Sequence, residues 1–174
     1  MAKTSTTATV ARRRFDSPEQ EAYLHLWRTY DLLKGIEDQL FREYELSAQQ
    51  YNAMRLLQAA HPQRMATQDL GRRMISRAPD MTRLLDRLEE RGWIERERLN
   101  ENRRVVLVGV TPAGISILEE LADRVVKCHQ TQLGHLTPEQ LKTLVTLLSK
   151  CREPHETAEN PWLTSQPKAL NTPK

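Results

Sequence analysis

Arginine side chains in the middle of the chain are the groups best suited to chemistry with a ligand. Residues 64–110 contain eleven arginines, no lysine and eight acidic residues. A guanidinium group binds phosphate through paired N–H donors, so an all-arginine segment is suited to gripping a polyanion. The same pattern also fits a solvated helical face whose arginines pair with acids one turn away. Charge therefore leaves two interpretations open, nucleic-acid binding and a plain polar surface.

Other reactive residue types do not form a recognisable catalytic or metal site. No Ser, His and acid fall into a known nucleophile motif, and the six glycines form no loop that could cradle a phosphate. Cys128, His129 and His135 come nearest to a metal-ligand set, but the helical spacing does not bring the two histidines onto one face. We therefore expect no catalytic residue, no metal, no cofactor and no enzymatic activity.

Length and composition fit one domain with tails. The chain has 174 residues, 26 basic and 23 acidic side chains, and a pI near 9.0. No apolar run approaches about 18 residues, and the basic, Ser/Thr-rich N-terminus lacks an apolar stretch, so neither a membrane span nor a secretory signal is expected. Two cysteines are too few for a disulfide framework, which makes a reducing cytoplasm the default location.

Two helices are predicted in the first third of the chain. Ser17 and Pro18 supply the N-cap and first position of a helix expected to run to Glu43, with apolar residues at helical spacing. Ser47 and Gln50 form a capping box that opens a second helix. That helix is expected to end just before a proline, because the residue preceding proline disfavours helical geometry.

Two shorter helices separated by a turn are predicted next. Thr67 is expected to cap a helix over residues 68–74, and Ser76 to cap another over residues 77–91. Gly92 is placed to end the second helix in the left-handed conformation. This arrangement is typical of a helix-turn-helix.

A β-hairpin and two more helices complete the predicted order. Residues 93–98 and 104–110 are strand-like, with a polar loop between them. Thr111 and Thr137, each followed by proline, are expected to cap the two helices. Beyond residue 152, prolines and few apolar side chains predict an irregular tail.

The predicted fold class is therefore mainly α with a small β-hairpin wing, a winged helix-turn-helix. In a helix-turn-helix the second helix enters the major groove of DNA, and the hairpin of a winged helix is expected to reach the neighbouring backbone or minor groove. Arg77 and Arg83 lie on the second helix off its apolar stripe, and Arg103 and Arg104 lie at the far end of the hairpin. The placement of the arginines favours DNA binding.

Three runs of sequence resemble the MarR family of bacterial transcription regulators. They are the recognition-helix run 80–96, the wing run 102–114 and residues 46–51 at the start of the second helix. The resemblance implies a homodimer in which the first and the last two helices of each subunit interlock around the DNA-binding cores. It also implies that the dimer binds a pseudo-palindromic operator in double-stranded DNA and represses transcription. Binding of a small aromatic effector is expected to release the protein from the DNA.

Composition and the resemblance, which covers roughly residues 20–150, together divide the chain into an arm, a domain and a tail. The bounds are 1–16 for a flexible basic arm, 17–151 for the MarR-like domain and 152–174 for the irregular tail. Inside the domain, the winged helix is expected over about 47–111 and the dimerisation helices over about 17–45 and 112–151.

DNA contacts are predicted on the helix-turn-helix and on the wing. Thr82 and Arg83 project opposite the apolar stripe and are expected to meet base edges or phosphates. Arg104, with Arg103 beside it, is expected at the minor groove or its phosphates. The full set of predicted DNA-binding residues is Thr67, Ser76, Arg77, Thr82, Arg83, Arg87, Arg103 and Arg104.

Two positions depart from the family pattern. Asn102 stands two residues before Arg104, where the family usually has an acid that tethers the wing. Asp80 stands near the start of the recognition helix, where the family often has a small or hydroxyl residue. An acid there suits the helix dipole and could cap the helix; it could also accept a hydrogen bond from a cytosine amine.

Three aromatic side chains with polar tips, His25, Trp27 and Tyr51, are candidates for effector binding. The alternative for all three is packing in the core or the dimer interface. Cys128 lies near the apolar stripe of its helix, so we interpret it as a small buried hydrophobe and not as a redox sensor.

Two other functions are compatible with the same sequence. One is a non-enzymatic helical adaptor between proteins, on which the arginines are merely solvated. The other is a nucleic-acid-binding protein that reads RNA or shape without sequence specificity.

Overall fold

The computed structural model describes residues 15–76, 80–98 and 105–156. The predicted arm up to residue 14, the hairpin tip and the tail beyond 156 lie outside the described residues. The chain divides into two compact units, one ending at Gly35 and one beginning at Ile36. The elements of the described ranges are α1 (Pro18–Arg42), α2 (Ala48–Ala60), β1 (Met65–Ala66), α3 (Thr67–Arg73), α4 (Met81–Glu90), β2 (Ile94–Arg98), β3 (Val106–Val110), α5 (Pro112–Leu133), α6 (Pro138–Arg152) and a 3₁₀ turn (Glu153–His155).

The first unit contains the start of α1, which begins as its sequence predicts. The Ser17 hydroxyl accepts a hydrogen bond from the Gln20 backbone N–H at 3.2 Å. The Gln20 side chain in turn accepts from the Asp16 backbone N–H at 2.8 Å. These bonds occupy N–H groups that the helix itself leaves unpaired at its start.

Three helices of the second unit begin at the predicted caps. The capping box of Ser47 and Gln50 forms at the start of α2, with both reciprocal bonds present. Thr111 caps α5 by accepting from the Gly114 backbone N–H at 3.1 Å. Thr137 opens α6 with a second complete capping box. Local cap chemistry therefore sets these boundaries.

The prediction that Thr67 caps the third helix is wrong. The N-cap is Ala66, which provides no side-chain bond, and Thr67 is the first residue of α3. The Thr67 hydroxyl instead donates to the Val106 carbonyl at 3.1 Å. Met65 and Ala66 form strand β1, which the sequence did not reveal, and its pairing brings Thr67 beside β3.

The prediction that Ser76 caps the recognition helix is also wrong. Helix α4 begins at Met81, and the Asp80 carboxylate caps it by accepting from the Arg83 backbone N–H at 2.9 Å. A carboxylate is as good an N-cap as a hydroxyl and gains further from the positive end of the helix. Capping was one of the two roles expected for Asp80. The Ser76 hydroxyl accepts from the Gln49 side chain at 3.5 Å.

The three strands form one antiparallel sheet in the order β1-β3-β2. Ile94 pairs with Val110 at one end of the predicted hairpin, and Arg98 pairs with Val106 at the other. On the opposite edge of β3, Met65 pairs with Val108. Strand β3 is thus paired on both edges, by β2 along its length and by the two-residue β1 at its middle.

The core forms where the apolar stripes of the helices meet this sheet. In α4 the apolar stripe predicted by helical spacing consists of Met81, Leu84, Leu85 and Leu88. It is confirmed, because the three leucines are buried and Met81 is half-buried against them. Gly92 takes a φ of +69° just beyond the helix, as predicted. The core also contains Leu70 and Met74 of the α3 region, Ala53, Met54 and Leu57 of α2, and Leu118 and Leu121 of α5.

Candidate nucleic-acid interface

The exposed side of α4 carries the polar residues that sequence analysis selected. Leu84, Leu85 and Leu88 bury one side of the helix in the core. Thr82, Arg83 and Arg87 are exposed on the remaining side. Residues four apart on a helix are neighbours, so the two arginines project together. The core therefore fixes α4 with a hydroxyl and two guanidinium groups facing outward.

A shallow cleft of about 150 Å³ lies beside these arginines, between the start of α4 and the start of α2. Asp80, Arg83 and Arg87 line it from the α4 side, and Ser47 and Gln49 from the α2 side. The cleft places the N-terminal end of a second helix close to two cations. Both features are favourable to an anionic group such as a phosphate.

Ion pairing separates the arginines into two classes. Within residues 64–110, four described arginines pair with carboxylates, namely Arg64, Arg72, Arg91 and Arg96, and all of them except Arg72 do so with another part of the fold. No carboxylate of the described residues pairs with Arg73, Arg83, Arg87 or Arg98 in this way. The interpretation of these residues as arginines paired with acids one turn away therefore holds only for Arg72 among these eight.

Arg96 fastens the recognition helix to the hairpin. From β2 its guanidinium reaches Asp86 at 2.7 Å and donates through Nε to Glu89 at 2.9 Å, both on α4. The hydrogen bond from Arg96 holds the pKa of the Glu89 carboxyl below its usual range. This link fixes the orientation of α4 about the sheet. The sequence does not indicate this link, because Arg96 lies on a different element and meets Asp86 and Glu89 only once the chain turns between α4 and β2.

Arg64 holds the base of the wing in a similar way. Its side chain passes over Gly109 of β3, where an added Cβ would lie 3.1 Å from the Arg64 Cγ. It then pairs with Glu95 at 2.6 Å and with Glu97, both on β2. Arg98 ends β2 and is exposed. The predicted wing-tip residues Arg103 and Arg104 lie outside the described residues.

The segment between α3 and α4 is attached to α2. The Asn52 side chain accepts from the Ile75 backbone N–H at 3.0 Å, next to the contact between Gln49 and Ser76. Ser76 is exposed and Thr67 half-buried, and Arg77 lies outside the described residues. No local sequence signal indicates the contact of Asn52, because its partner lies 23 residues along the chain.

The three effector candidates lie in different aromatic contacts. His25 lies near Phe15 with ring centroids 6.1 Å apart, and Trp27 lies near Tyr23 at the same distance, all in the first unit. Tyr51 belongs to the second unit and packs on Phe41 at 4.8 Å. Burial raises the pKa of the Tyr51 hydroxyl. These contacts leave both interpretations, effector binding and packing, open.

Cys128 is buried on α5, and burial raises the pKa of its thiol. A raised pKa disfavours the thiolate that redox chemistry requires. In the described ranges, no group of three or more His, Cys, Asp and Glu side chains is arranged to hold a metal ion. The same ranges contain no helix with the length and apolar character needed to cross a membrane.

The family model that matches this chain is that of the MarR family, over residues 46–106. A MarR transcription factor from Planctomyces limnophilus, known as a crystal structure, is 53% identical. The match covers 78% of this chain and 98% of that one, with a TM-score of 0.64.

Two further relatives show how the similarity is distributed. The multiple antibiotic resistance protein MarR of Salmonella typhimurium is 42% identical over 71 residues. The matched region is 40% of this chain and about half (49%) of the length of that protein. Sco3205, a MarR family transcriptional regulator from Streptomyces coelicolor solved in complex with DNA, is 22% identical. It matches 88% of this chain and 99% of its own, with a TM-score of 0.71. At that identity the likeness concerns the fold.

Proposed function

This chain belongs to the MarR family, and we propose that it is a sequence-specific DNA-binding regulator of transcription. The observation that carries the proposal is the exposed side of α4, where Thr82, Arg83 and Arg87 project from a helix whose opposite side is buried. Guanidinium groups that have no carboxylate partner among the described residues can pair with guanine edges or phosphates. The relatives that are regulators of transcription support the same function and give no support to an enzymatic one.

We propose that the contacts are divided between helix and wing. Thr82, Arg83 and Arg87 meet base edges and adjoining phosphates in the major groove. The wing carries Arg103 and Arg104 to the minor groove or its backbone. The remaining predicted contacts are Thr67, Ser76 and Arg77, which precede α4 in the sequence.

The functional unit in this proposal is a homodimer on a pseudo-palindromic operator. The winged helix occupies about residues 47–111, and the flanking helices form the dimer interface. A symmetric dimer presents two equal recognition helices, which matches a two-fold DNA site. The protein represses its targets in the bacterial cytoplasm and is released by a small aromatic effector, for which His25, Trp27 and Tyr51 are candidates.

A salt titration of DNA binding tests the proposal against its alternatives. Duplexes are first selected from a random pool by the purified protein, and binding is then compared between a selected duplex and a scrambled one. A sequence-specific regulator binds the selected duplex more tightly at every salt concentration. A shape reader binds both equally with the same salt slope. A protein adaptor binds neither, and either of those results would refute the proposal.

A further inference from the structure

The turn that follows α1 has a backbone conformation that is usually found at glycine. The Leu46 N–H donates to the Phe41 carbonyl at 2.9 Å, and the Glu45 N–H donates to the Arg42 carbonyl at 3.0 Å. This is the hydrogen-bond pattern of a Schellman motif. Glu45 takes a φ of +52°, in the left-handed region that glycine favours. A charged side chain in this strained position suggests that the side chain itself has a use.

Arg91, at the C-terminal end of the recognition helix, forms hydrogen bonds with this turn. Its Nη1 donates to the carbonyls of Tyr44 and Glu45, at 2.9 and 3.2 Å, and its Nη2 lies 3.3 Å from the Glu45 carboxylate. The guanidinium also stacks on Trp93, 4.0 Å from the ring centre. Carbonyls at the end of a helix lack partners within it, so a cation is well placed there.

Arg124, on α5, forms hydrogen bonds with the same turn. Its Nη1 donates to the Tyr44 hydroxyl at 2.8 Å, and its Nη2 pairs with the Glu43 carboxylate. Its guanidinium carbon lies 5.1 Å from the centre of the Tyr44 ring. The Tyr44 hydroxyl and the Glu43 carboxylate together hold the pKa of Arg124 above its usual range. Tyr44 is therefore bonded to Arg91 through its backbone and to Arg124 through its side chain.

We propose that Arg91 and Arg124, closing on the Glu43–Glu45 turn, form a clamp that sets the position of the recognition helix relative to α5. The clamp joins the C-terminal end of α4 to a helix of the predicted dimer interface through one strained turn. In a dimer this linkage fixes how far apart the two recognition helices lie. The inference rests on the proposed DNA-binding function and adds positioning residues to it.

The clamp acts on DNA through geometry and not through a contact. Arg91 is committed to two carbonyls, a carboxylate and an indole ring. Of the proposed DNA-contacting residues on α4, Thr82 and Arg83 lie at its other end, whereas Arg87 lies in its last turn. Loosening the clamp should therefore change which half-site spacing the protein accepts, while the number of phosphate contacts stays the same.

The test uses an operator selected by the wild-type protein from random duplexes, and versions of it with the half-sites moved by one base pair in either direction. Arg91→Lys keeps the charge but loses the fork of N–H donors. Tyr44→Phe removes only the hydroxyl that Arg124 bonds. Arg42→Ala is the control, because it removes a nearby exposed cation whose side chain takes no part in the contacts of Arg91 or Arg124 with the turn.

Both clamp variants should bind the selected operator about five- to tenfold more weakly and should discriminate less between the three spacings. Their salt slopes should equal that of the wild type, since no phosphate contact is lost. A wild-type spacing preference in folded Arg91→Lys and Tyr44→Phe proteins would overturn the clamp while leaving the proposed function intact. If the wild type selected no operator at all, the proposed function itself would fall.

Discussion

At the residue scale, the arginines of this chain differ in what they are bonded to. Arg96 and Arg64 each hold two carboxylates and tie the hairpin to its surroundings. Arg83 and Arg87 have no carboxylate partner among the described residues and face a cleft. A sequence contains the number of arginines but not this distinction, because the paired acids lie on other elements.

Arg83→Ala should reduce the ratio of specific to random DNA binding by about 1–3 kcal/mol, if the guanidinium pairs with a guanine edge. Arg104→Ala should instead weaken specific and random binding by similar factors and lower the salt slope by about one. The measurement is fluorescence anisotropy on an operator and a scrambled duplex at several salt concentrations. Unchanged affinities of a folded Arg104→Ala protein for both duplexes would refute the wing assignment.

Arg96→Ala should lower the free energy of unfolding by about 1 kcal/mol at neutral pH, because it leaves Asp86 and Glu89 without their partner. The pKa of Glu89 is lowered in the folded state, so its contribution is present above the unfolded pKa and is lost as pH falls through the folded one. The difference between wild type and variant should therefore shrink below about pH 4.

Urea unfolding at neutral and acidic pH, at one fixed protein concentration, measures this difference. Arg72→Ala is the matched control, since its pair with Asp69 is an exposed contact between helix neighbours at 3.4 Å. It should cost under about 0.5 kcal/mol. Equal losses in the two variants would show that Arg96 is no more than a surface pair.

At the scale of elements, the helix starts that depend on local chemistry could be predicted, and those that depend on distant strands could not. The caps Ser47, Thr111 and Thr137 bond within their own first turn, so sequence alone identifies them. Strand β1 is two residues long and exists only through pairing with β3, some forty residues away. Its absence from the prediction is the reason that Thr67 was wrongly assigned as a cap.

The start of the recognition helix illustrates competition between two local signals. Ser76 and Asp80 are both good N-cap residues, and the sequence does not rank them. The structure selects Asp80, whose carboxylate also faces the positive end of α4. The exposure of Thr82, Arg83 and Arg87 could nevertheless be predicted. The apolar residues repeat at the same helical spacing whether the helix begins after Ser76 or after Asp80, so the same side chains lie opposite them.

The junction between the hairpin and α5 has no room for a methyl group. A Cβ on Gly114 would lie 2.1 Å from the Trp93 carbonyl oxygen and 2.8 Å from a Val110 methyl carbon. Gly114→Ala should therefore destabilise the protein by at least about 1–3 kcal/mol, as overpacking does. Gly35→Ala is the control, because nothing lies within 4 Å of its added Cβ and alanine favours a helix interior.

Thermal unfolding followed by circular dichroism compares the two alanine variants. Gly114→Ala should melt several degrees below the wild type, and Gly35→Ala at or slightly above it. Because Gly114 joins the wing to α5, operator binding should weaken along with stability in the first variant only. A Gly114→Ala protein with the melting temperature of the wild type would contradict the close approach of Trp93 and Val110 to this glycine.

At the scale of the whole molecule, helix α6 carries more apolar surface than the described residues cover. Its fifteen residues include Leu141, Leu144 and Leu148, yet none of them is buried. Val145 and Leu147 are 63% and 55% exposed. Near the other end of the sequence, Tyr23, Leu26, Trp27 and Tyr30 on α1 are also exposed. Exposed apolar side chains such as those on each of these two helices are typical of protein interfaces.

We therefore expect a homodimer of twice the 20.2 kDa chain mass at micromolar concentration. Val145→Asp should shift the protein toward the monomer, because it would bury an unpaired charge in the interface. Thr143→Asp adds the same charge on the opposite side of α6 and should leave the dimer intact. Light scattering measures the mass, and anisotropy shows whether operator affinity falls with it, since a monomer engages one half-site. A wild-type protein of monomeric mass would refute the dimer and, with it, the two-fold operator.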